Sequence, residues 1–208
     1  MNEHKLIVDL GAGLGGATEA FIDDPNWIVM RFDIAPEVSE VEHMYWGDYV
    51  HATTYVIERI QEQMRSYDIL PKNLYIWASP ECKDWSNGYN SKKSMQRRIG
   101  IEFEPDMSQI TAIRHIVEVL KPKAWIVENV QGGMEFINPV LGPPTTMRKP
   151  FFFWGEFPLF RIPKIKTNKT ELGPSPMRYW ERSKIPIEIS QNMKNAFDNQ
   201  TTLTEFVE

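Results

Sequence analysis

Apolar residues arrive along this chain in short runs, and amphipathic stretches separate them. Runs of strand length occupy residues 6–10, 27–34, 43–49, 74–78, 124–127 and 151–154. Between them, residues 53–64 place Val56, Ile57, Ile60 and Met64 on one helical face, and residues 108–120 do the same with Ile110, Ile113, Ile116, Val117 and Leu120. Shorter helices are predicted over 17–22 and 186–197. Residues 83–104 carry no clear period and are rich in polar and basic side chains, which predicts a long functional loop. Residues 155–180 read as a proline-containing loop, and the tail after Asp198 as a polar, frayed end.

Strands that alternate with helices predict an α/β fold, a mostly parallel sheet covered by helices on both faces. Such sheets bind ligands outside the carboxyl ends of their strands. Asp9, Asp33, Asp48, Cys82 and Glu128 all fall at or just beyond a predicted strand's carboxyl end. No internal repeat and no long linker interrupts the 208 residues, so a single domain over 1–208 is expected.

Composition narrows the picture. Hydrophobic residues make up 42% and charged residues 25%, as in an ordinary globular protein. Aromatics reach 12%, with seven Trp, more than a core alone needs, so some are expected at a site or partner surface. The net charge of −5 is unlike that of a dedicated nucleic-acid binder, although a local basic patch still holds phosphates. One cysteine excludes an intrachain disulfide. No apolar run approaches the roughly 20 residues of a membrane span, and the N-terminus has no signal-peptide pattern, so a cytoplasmic location is expected. The four His are scattered and no metal-ligand cluster is visible; no metal is expected.

Residues 9–16, Asp-Leu-Gly-Ala-Gly-Leu-Gly-Gly, form a glycine-rich turn between a strand and a helix. Such a turn lets backbone approach a ligand closely; without a ligand it is simply a tight connection. Asp33, closing the second strand, suits a ribose diol or, more blandly, a helix cap. Cys82 follows Ser79-Pro80-Glu81 and stands among Glu81, Lys83 and Asp84, a poor context for a buried hydrophobe and a good one for a nucleophile. Lys83 would depress the thiol's pKa and Glu81 would oppose that. Glu128-Asn129-Val130 puts a carboxyl where it reaches a base edge or acts as an acid, or is more blandly an ordinary loop acid. Lys92, Lys93, Arg97 and Arg98 on the polar loop suit phosphate contacts, or form a solvated charge run.

Taken in order, these segments resemble the cytosine-C5 DNA methyltransferase family, above all its short, stand-alone phage members. Residues 9–16 resemble the first cofactor motif, Asp33 the ribose-binding acid, and Gly47-Asp48 the adenine-binding acid. Ser-Pro-Glu-Cys resembles the Pro-Pro-Cys nucleophile motif, and Glu128-Asn129-Val130 is identical to the glutamate motif. Residues 148–155 resemble the arginine motif, and 182–189 the final motif that packs near the cofactor. The resemblance implies a Rossmann-like class I methyltransferase fold and S-adenosylmethionine as cofactor. Cofactor contacts carry over to Asp9, Gly11, Gly13, Leu14, Gly15, Gly16, Asp33, Ile34, Asp48 and Pro80. It implies a flipped-out cytosine in DNA as substrate, with Cys82 attacking C6, Glu128 holding N3 and the exocyclic amine, and Arg148 binding O2. Lys83, Ser86, Lys92, Lys93, Arg97 and Arg98 are the expected DNA contacts. A branch of the same family acts on tRNA, and a cofactor-binding subunit without catalysis is a third reading.

The chain departs from the family's pattern at several places. Gly11 replaces an aromatic, Glu81 replaces the second proline, and Pro150 stands where a second arginine is common. Arg182-Ser183-Lys184 stands near the usual Gly-Asn-Ser. Only 26 residues separate Gly155 from Arg182. Residues 156–181 are thus a remnant in place of a target-recognition domain, and a separate recognition subunit is a possible partner.

Overall fold

The computed structural model describes residues 3–164 and 177–199. Seven strands form one sheet: β1 (Lys5–Leu10), β2 (Trp27–Asp33), β3 (Met44–Trp46), β4 (Leu74–Ala78), β5 (Ala124–Asn129), β6 (Thr146–Arg148) and β7 (Phe151–Glu156). Their spatial order is β3-β2-β1-β4-β5-β7-β6. β1 to β5 run parallel, while β7 is antiparallel to both β5 and β6. The chain crosses from β1 outward to β2 and β3, then returns to place β4 on β1's other side. This reversal creates a switch point between β1 and β4, where doubly wound sheets open a crevice.

Alternation along β1 explains the layers. Leu6, Val8 and Leu10 join one buried cluster with Val56, Ile57 and Ile60 of α1 (Thr53–Ser66) and Ile110, Ile113 and Ile116 of α3 (Ser108–Leu120). Ile7 joins the opposite cluster, with Ala17, Phe21 and Ile189, Met193 and Phe197 of α6 (Ile187–Asp198). Both faces of the sheet are therefore covered, and the predicted mostly parallel α/β fold is the observed one. Each side chain buried this way contributes about 1.5–3 kcal/mol, which is why the central strands read as continuous apolar runs.

The structure corrects several sequence expectations. The glycine turn leads into a 3-10 helix, Gly16–Phe21, rather than an α-helix over 17–22. The third strand is only Met44–Trp46. Residues 83–104 are not one loop, because α2 (Lys92–Arg98) lies inside them, started by the Ser91 hydroxyl accepting from the Ser94 N–H. A helix, α4 (Met134–Leu141), follows β5, and β6 precedes β7; neither is visible as a run. α5 (Arg178–Ser183) occupies part of the expected 155–180 loop. The middle of the expected remnant, residues 165–176, and the tail beyond residue 199 lie outside the described residues. Among the described residues no helix is long and apolar enough to cross a membrane.

Candidate active site

The carboxyl ends of β1, β2, β4 and β5 gather most of the residues singled out above. Gly11, Gly13 and Gly15 all have positive φ, at 73°, 51° and 69°, so the turn after β1 is a conformation that glycine alone adopts without strain. Space is as restrictive as conformation. A Cβ on Gly11 would stand 2.7 Å from the Ser79 carbonyl oxygen, and one on Gly15 2.5 Å from the Arg31 guanidinium carbon. A Cβ on Gly16 would stand 2.2 Å from the Ile185 carbonyl oxygen. The turn is therefore gripped by the loop after β4, by β2 and by the segment entering α6.

Beneath the turn sits a buried polar network. Asp9 accepts from the Thr18 hydroxyl at 3.1 Å. Arg31 donates to that hydroxyl at 2.9 Å, to the Gly15 carbonyl at 2.8 Å and to the Glu42 carbonyl at 2.8 Å. The second Asp9 carboxyl oxygen is buried without a hydrogen-bond partner among the described residues. Burial pushes the Asp9 carboxyl up to about 7 against the pull of Arg31 and Thr18.

Asp33 ties the turn to β2. One oxygen accepts from the Gly13 N–H at 2.9 Å, and the other from the Ile34 and Ala35 N–H groups at 2.8 and 2.9 Å. A carboxylate offers about four acceptor positions, so capacity remains for a hydroxyl. Beside it Ile34 is exposed. Asp48 accepts from the Val50 and His51 N–H groups and lies 2.7 Å from His51 Nδ1. Burial raises its pKa, the His51 and Val50 hydrogen bonds outweigh that, and the net displacement is downward.

The loop that carries Cys82 leaves β4 and is pinned from several sides. Ser79 N–H donates to the Leu10 carbonyl, and Trp77 Nε1 to the Ser79 hydroxyl at 2.7 Å. Asn129 Nδ2 donates to the Pro80 carbonyl at 3.0 Å, stitching the loop to the end of β5. Gln109 Oε1 accepts from both the Glu81 N–H and the Tyr49 hydroxyl, each at 2.8 Å. The Cys82 carbonyl accepts from Trp85 and Ser86, which uses the Ser86 N–H within the loop. Cys82 is half-buried, and burial, then the Glu128 and Glu81 carboxyls, push its thiol up to about 12. Glu128, held by β5, is pushed up to about 8 by burial. Both groups are therefore neutral at pH 7.

Other candidates stand apart. Arg148 ends β6 on the outer side of β7, exposed, with its guanidinium donating to the Ile162 carbonyl at 2.8 Å. Among the described residues it makes no hydrogen bond or ion pair with Cys82 or Glu128. The cations at 92–98 lie on α2, not on a mobile loop. Lys93 is buried and donates to the Gly132 carbonyl at 2.8 Å. Arg97 pairs with Glu135 at 2.7 Å, and Arg98 stacks 3.7 Å from the Tyr89 ring centroid. Lys92 and Lys83 are exposed, and Lys83 lies 3.4 Å from Glu81.

The structure also adds residues that the sequence reading missed. Tyr179 of α5 donates its hydroxyl to Glu81 at 2.5 Å, and the Trp180 ring lies 3.5 Å from where a Gly13 Cβ would stand. Neither carries a motif; their only signal was the excess of aromatics. Two clefts, of about 460 Å³ beside Arg114 and Trp125 and about 800 Å³ beside Asp23 and Asn192, contain none of the candidate residues.

The residues at the turn fit a nucleoside cofactor with an amino-acid arm. Asp33 has acceptor capacity left, Ile34 offers an apolar surface, and the orphaned Asp9 oxygen is a buried acceptor suited to a cation. No family model matches the chain, and no curated protein does. Among solved structures it is similar to a prophage-encoded E. coli protein assigned as a DNA modification methyltransferase, at 16% identity and a TM-score of 0.41. The match covers 73% of this chain and 46% of that one, so the chain spans less than half of that protein's length. At that TM-score the likeness assigns no chemistry.

Proposed function

We propose that the chain is an S-adenosylmethionine-dependent methyltransferase acting on C5 of cytosine in DNA, with Cys82 as nucleophile. The observation that supports this reading is the hydrogen bond from Asn129 to the Pro80 carbonyl, which ties the loop carrying Cys82 to the strand end carrying Glu128, whose carboxyl raises the thiol's pKa. A thiol adding to C6 of a pyrimidine needs an acid at N3 to receive the charge that moves into the ring. Glu128, protonated up to about pH 8, is such an acid. Cys82 would lose its thiol proton to solvent as its sulfur bonds to C6, while Glu128 delivers a proton to N3. After C5 has taken the methyl, its hydrogen would leave as a proton to solvent. The C6–sulfur bond would then break with return of the thiolate, and N3 would give its proton back to Glu128. Asp33 would hold a ribose diol, Ile34 would pack on the purine, and Asp9 would face the amino-acid arm. The cofactor supplies an electrophilic methyl on a sulfonium. Among the candidate DNA contacts, the exposed Lys83, Lys92, Arg97 and Arg98 are able to meet phosphates, Arg97 after giving up an exposed ion pair worth about 0–1 kcal/mol. Lys93 is committed to Gly132.

A second reading has one observation in its favour. A thiol held near 12 between two carboxyls is a poor resting nucleophile, as in a cofactor-binding subunit without catalysis. One experiment separates the readings. Duplex DNA carrying 5-fluorocytosine, incubated with the protein and cofactor, is expected to give a covalent adduct stable on a denaturing gel, and Cys82→Ser to give none. No adduct on duplex DNA or tRNA, with cofactor binding intact by calorimetry, favours the non-catalytic subunit; adduct on tRNA alone moves the substrate to RNA.

A further inference from the structure

A short helix lies across the crevice of the proposed cofactor site. α5 is six residues long, Arg178–Ser183, and none of them is buried. A helix of that length does not hold itself in water, so α5 depends on what it touches. On one side the Tyr179 hydroxyl donates to a Glu81 carboxyl oxygen at 2.5 Å, which fastens α5 to the loop after β4. On the other side the Trp180 ring lies 3.5 Å from where a Gly13 Cβ would stand, over the turn after β1. Gly13 is the residue whose N–H meets Asp33 at 2.9 Å, so the indole covers the turn beside the candidate ribose acid. α5 thus spans the two loops between which the switch point of the sheet opens.

The residues that follow α5 are fixed far more firmly. Ile185 is buried, and its carbonyl oxygen would stand 2.2 Å from a Gly16 Cβ. Pro186, whose ring sets its φ at −61°, then leads into α6. Lys184 lies between, in extended conformation, with an exposed ion pair to Glu19 at 2.8 Å. The chain is therefore rooted at Ile185, while α5 is held across the crevice by the Tyr179 hydrogen bond and the Trp180 contact. A segment without buried residues opens at low free-energy cost, and a segment of this kind that closes over a ligand shields it from water.

We propose that α5 is a strap over the cofactor site: Trp180 closes on the ligand seated at the turn, and the Tyr179–Glu81 hydrogen bond is the latch that holds the strap shut. This rests on the proposed cofactor site and is independent of the cysteine chemistry. Entry and exit of the ligand then wait for the same event, in which the latch breaks and α5 swings about Lys184. Loosening the latch raises the open fraction of free and ligand-bound protein alike, so it changes both rates and leaves affinity where it was. Trp180 touches the ligand itself, so its removal changes affinity.

The test is stopped-flow measurement of S-adenosylhomocysteine binding to the full chain, with hydrogen exchange over residues 178–183 as a second readout. Tyr179→Phe is expected to raise the association and dissociation rate constants together by roughly 10-fold, the worth of a hydrogen bond to a charged acceptor, with Kd unchanged. Exchange of the α5 amides is expected to speed up in the same variant. Glu81→Ala is expected to act as Tyr179→Phe does, and the double variant to go no faster than either, because both changes remove one contact. Trp180→Ala is expected to weaken binding by roughly 10-fold, mainly through faster dissociation. Unchanged rates in Tyr179→Phe, or a rise in dissociation alone, overturn the strap and leave the cofactor site standing. A parent that does not bind S-adenosylhomocysteine overturns the cofactor site and the strap together. The expected rates in a parent that forms no 5-fluorocytosine adduct support the strap and count against the cysteine chemistry alone.

Discussion

At the scale of single residues, the departures from the methyltransferase pattern have physical causes. Gly11 cannot be the aromatic that the resemblance leads one to expect, because its φ is positive and the Ser79 carbonyl fills the space a Cβ needs. Gly11→Ala is therefore expected to cost about 1–3 kcal/mol, read as a lowered melting temperature, because strain in a sparsely populated backbone region has that magnitude. A melting temperature equal to the parent's would mean that the turn relaxes freely. Asp33 does two things at once, closing the turn through Gly13 and offering acceptor capacity outward. Asp33→Ala is expected to weaken cofactor binding in calorimetry by roughly 1.5–3 kcal/mol, the worth of charge-assisted hydrogen bonds. Unchanged affinity would remove Asp33 from the cofactor site.

At the scale of elements, the two long amphipathic helices and the central strands were legible because one face of each is apolar and the period is unambiguous. α2 was not legible. Its seven residues, Lys92–Arg98, hold four cations and Met95 as the sole large apolar side chain, and Met95 is exposed. Its stability comes instead from the Ser91 cap and from Lys93, whose ammonium reaches across to Gly132. That contact also explains a second blind spot, since Gly132 lies in the 3-10 turn that leads into α4. Two substitutions are expected to separate structure from binding here. Lys93→Ala leaves the Gly132 carbonyl unpaired and is expected to cost about 1–3 kcal/mol in thermal melts with no change in the salt dependence of DNA binding. Arg97→Ala with Arg98→Ala is expected to flatten that dependence by one to two units of log–log slope, at roughly 0.9 per phosphate contact. An unchanged slope would confine both arginines to their Glu135 and Tyr89 partners.

At the scale of the whole molecule, the carboxyl ends of the strands were the part of the site most legible from sequence, since any residue there faces the crevice. What comes from far along the chain was not legible: Gln109 on α3, and Tyr179 and Trp180 on α5. Two carboxyls of this site also contribute to the response of the fold to pH above the acid range, where Asp24, Asp48, Asp106 and Asp198, shifted downward, have already ionised. Asp9 and Glu128 bind their protons more tightly folded, at about 7 and about 8, than unfolded, at the ordinary values of 3.8 and 4.5. The stability linked to them is fully present below those lower values and is lost as pH rises through the higher ones. Melting temperature is expected to fall from about pH 6 to about pH 9, and Asp9→Asn to flatten part of that fall; a parent whose melting temperature rises across the interval would contradict both assignments. The grip of α6 on the glycine turn has one more consequence. Ser190 donates to the Ala17 carbonyl and accepts from the Ala20 N–H across sequence separations of 173 and 170 residues. Contacts of such span form late, because the loop they close costs the most entropy and local contacts form first. By chain span the contacts that close this turn belong to the slow class, so the turn that would receive the cofactor is expected to be finished late in folding.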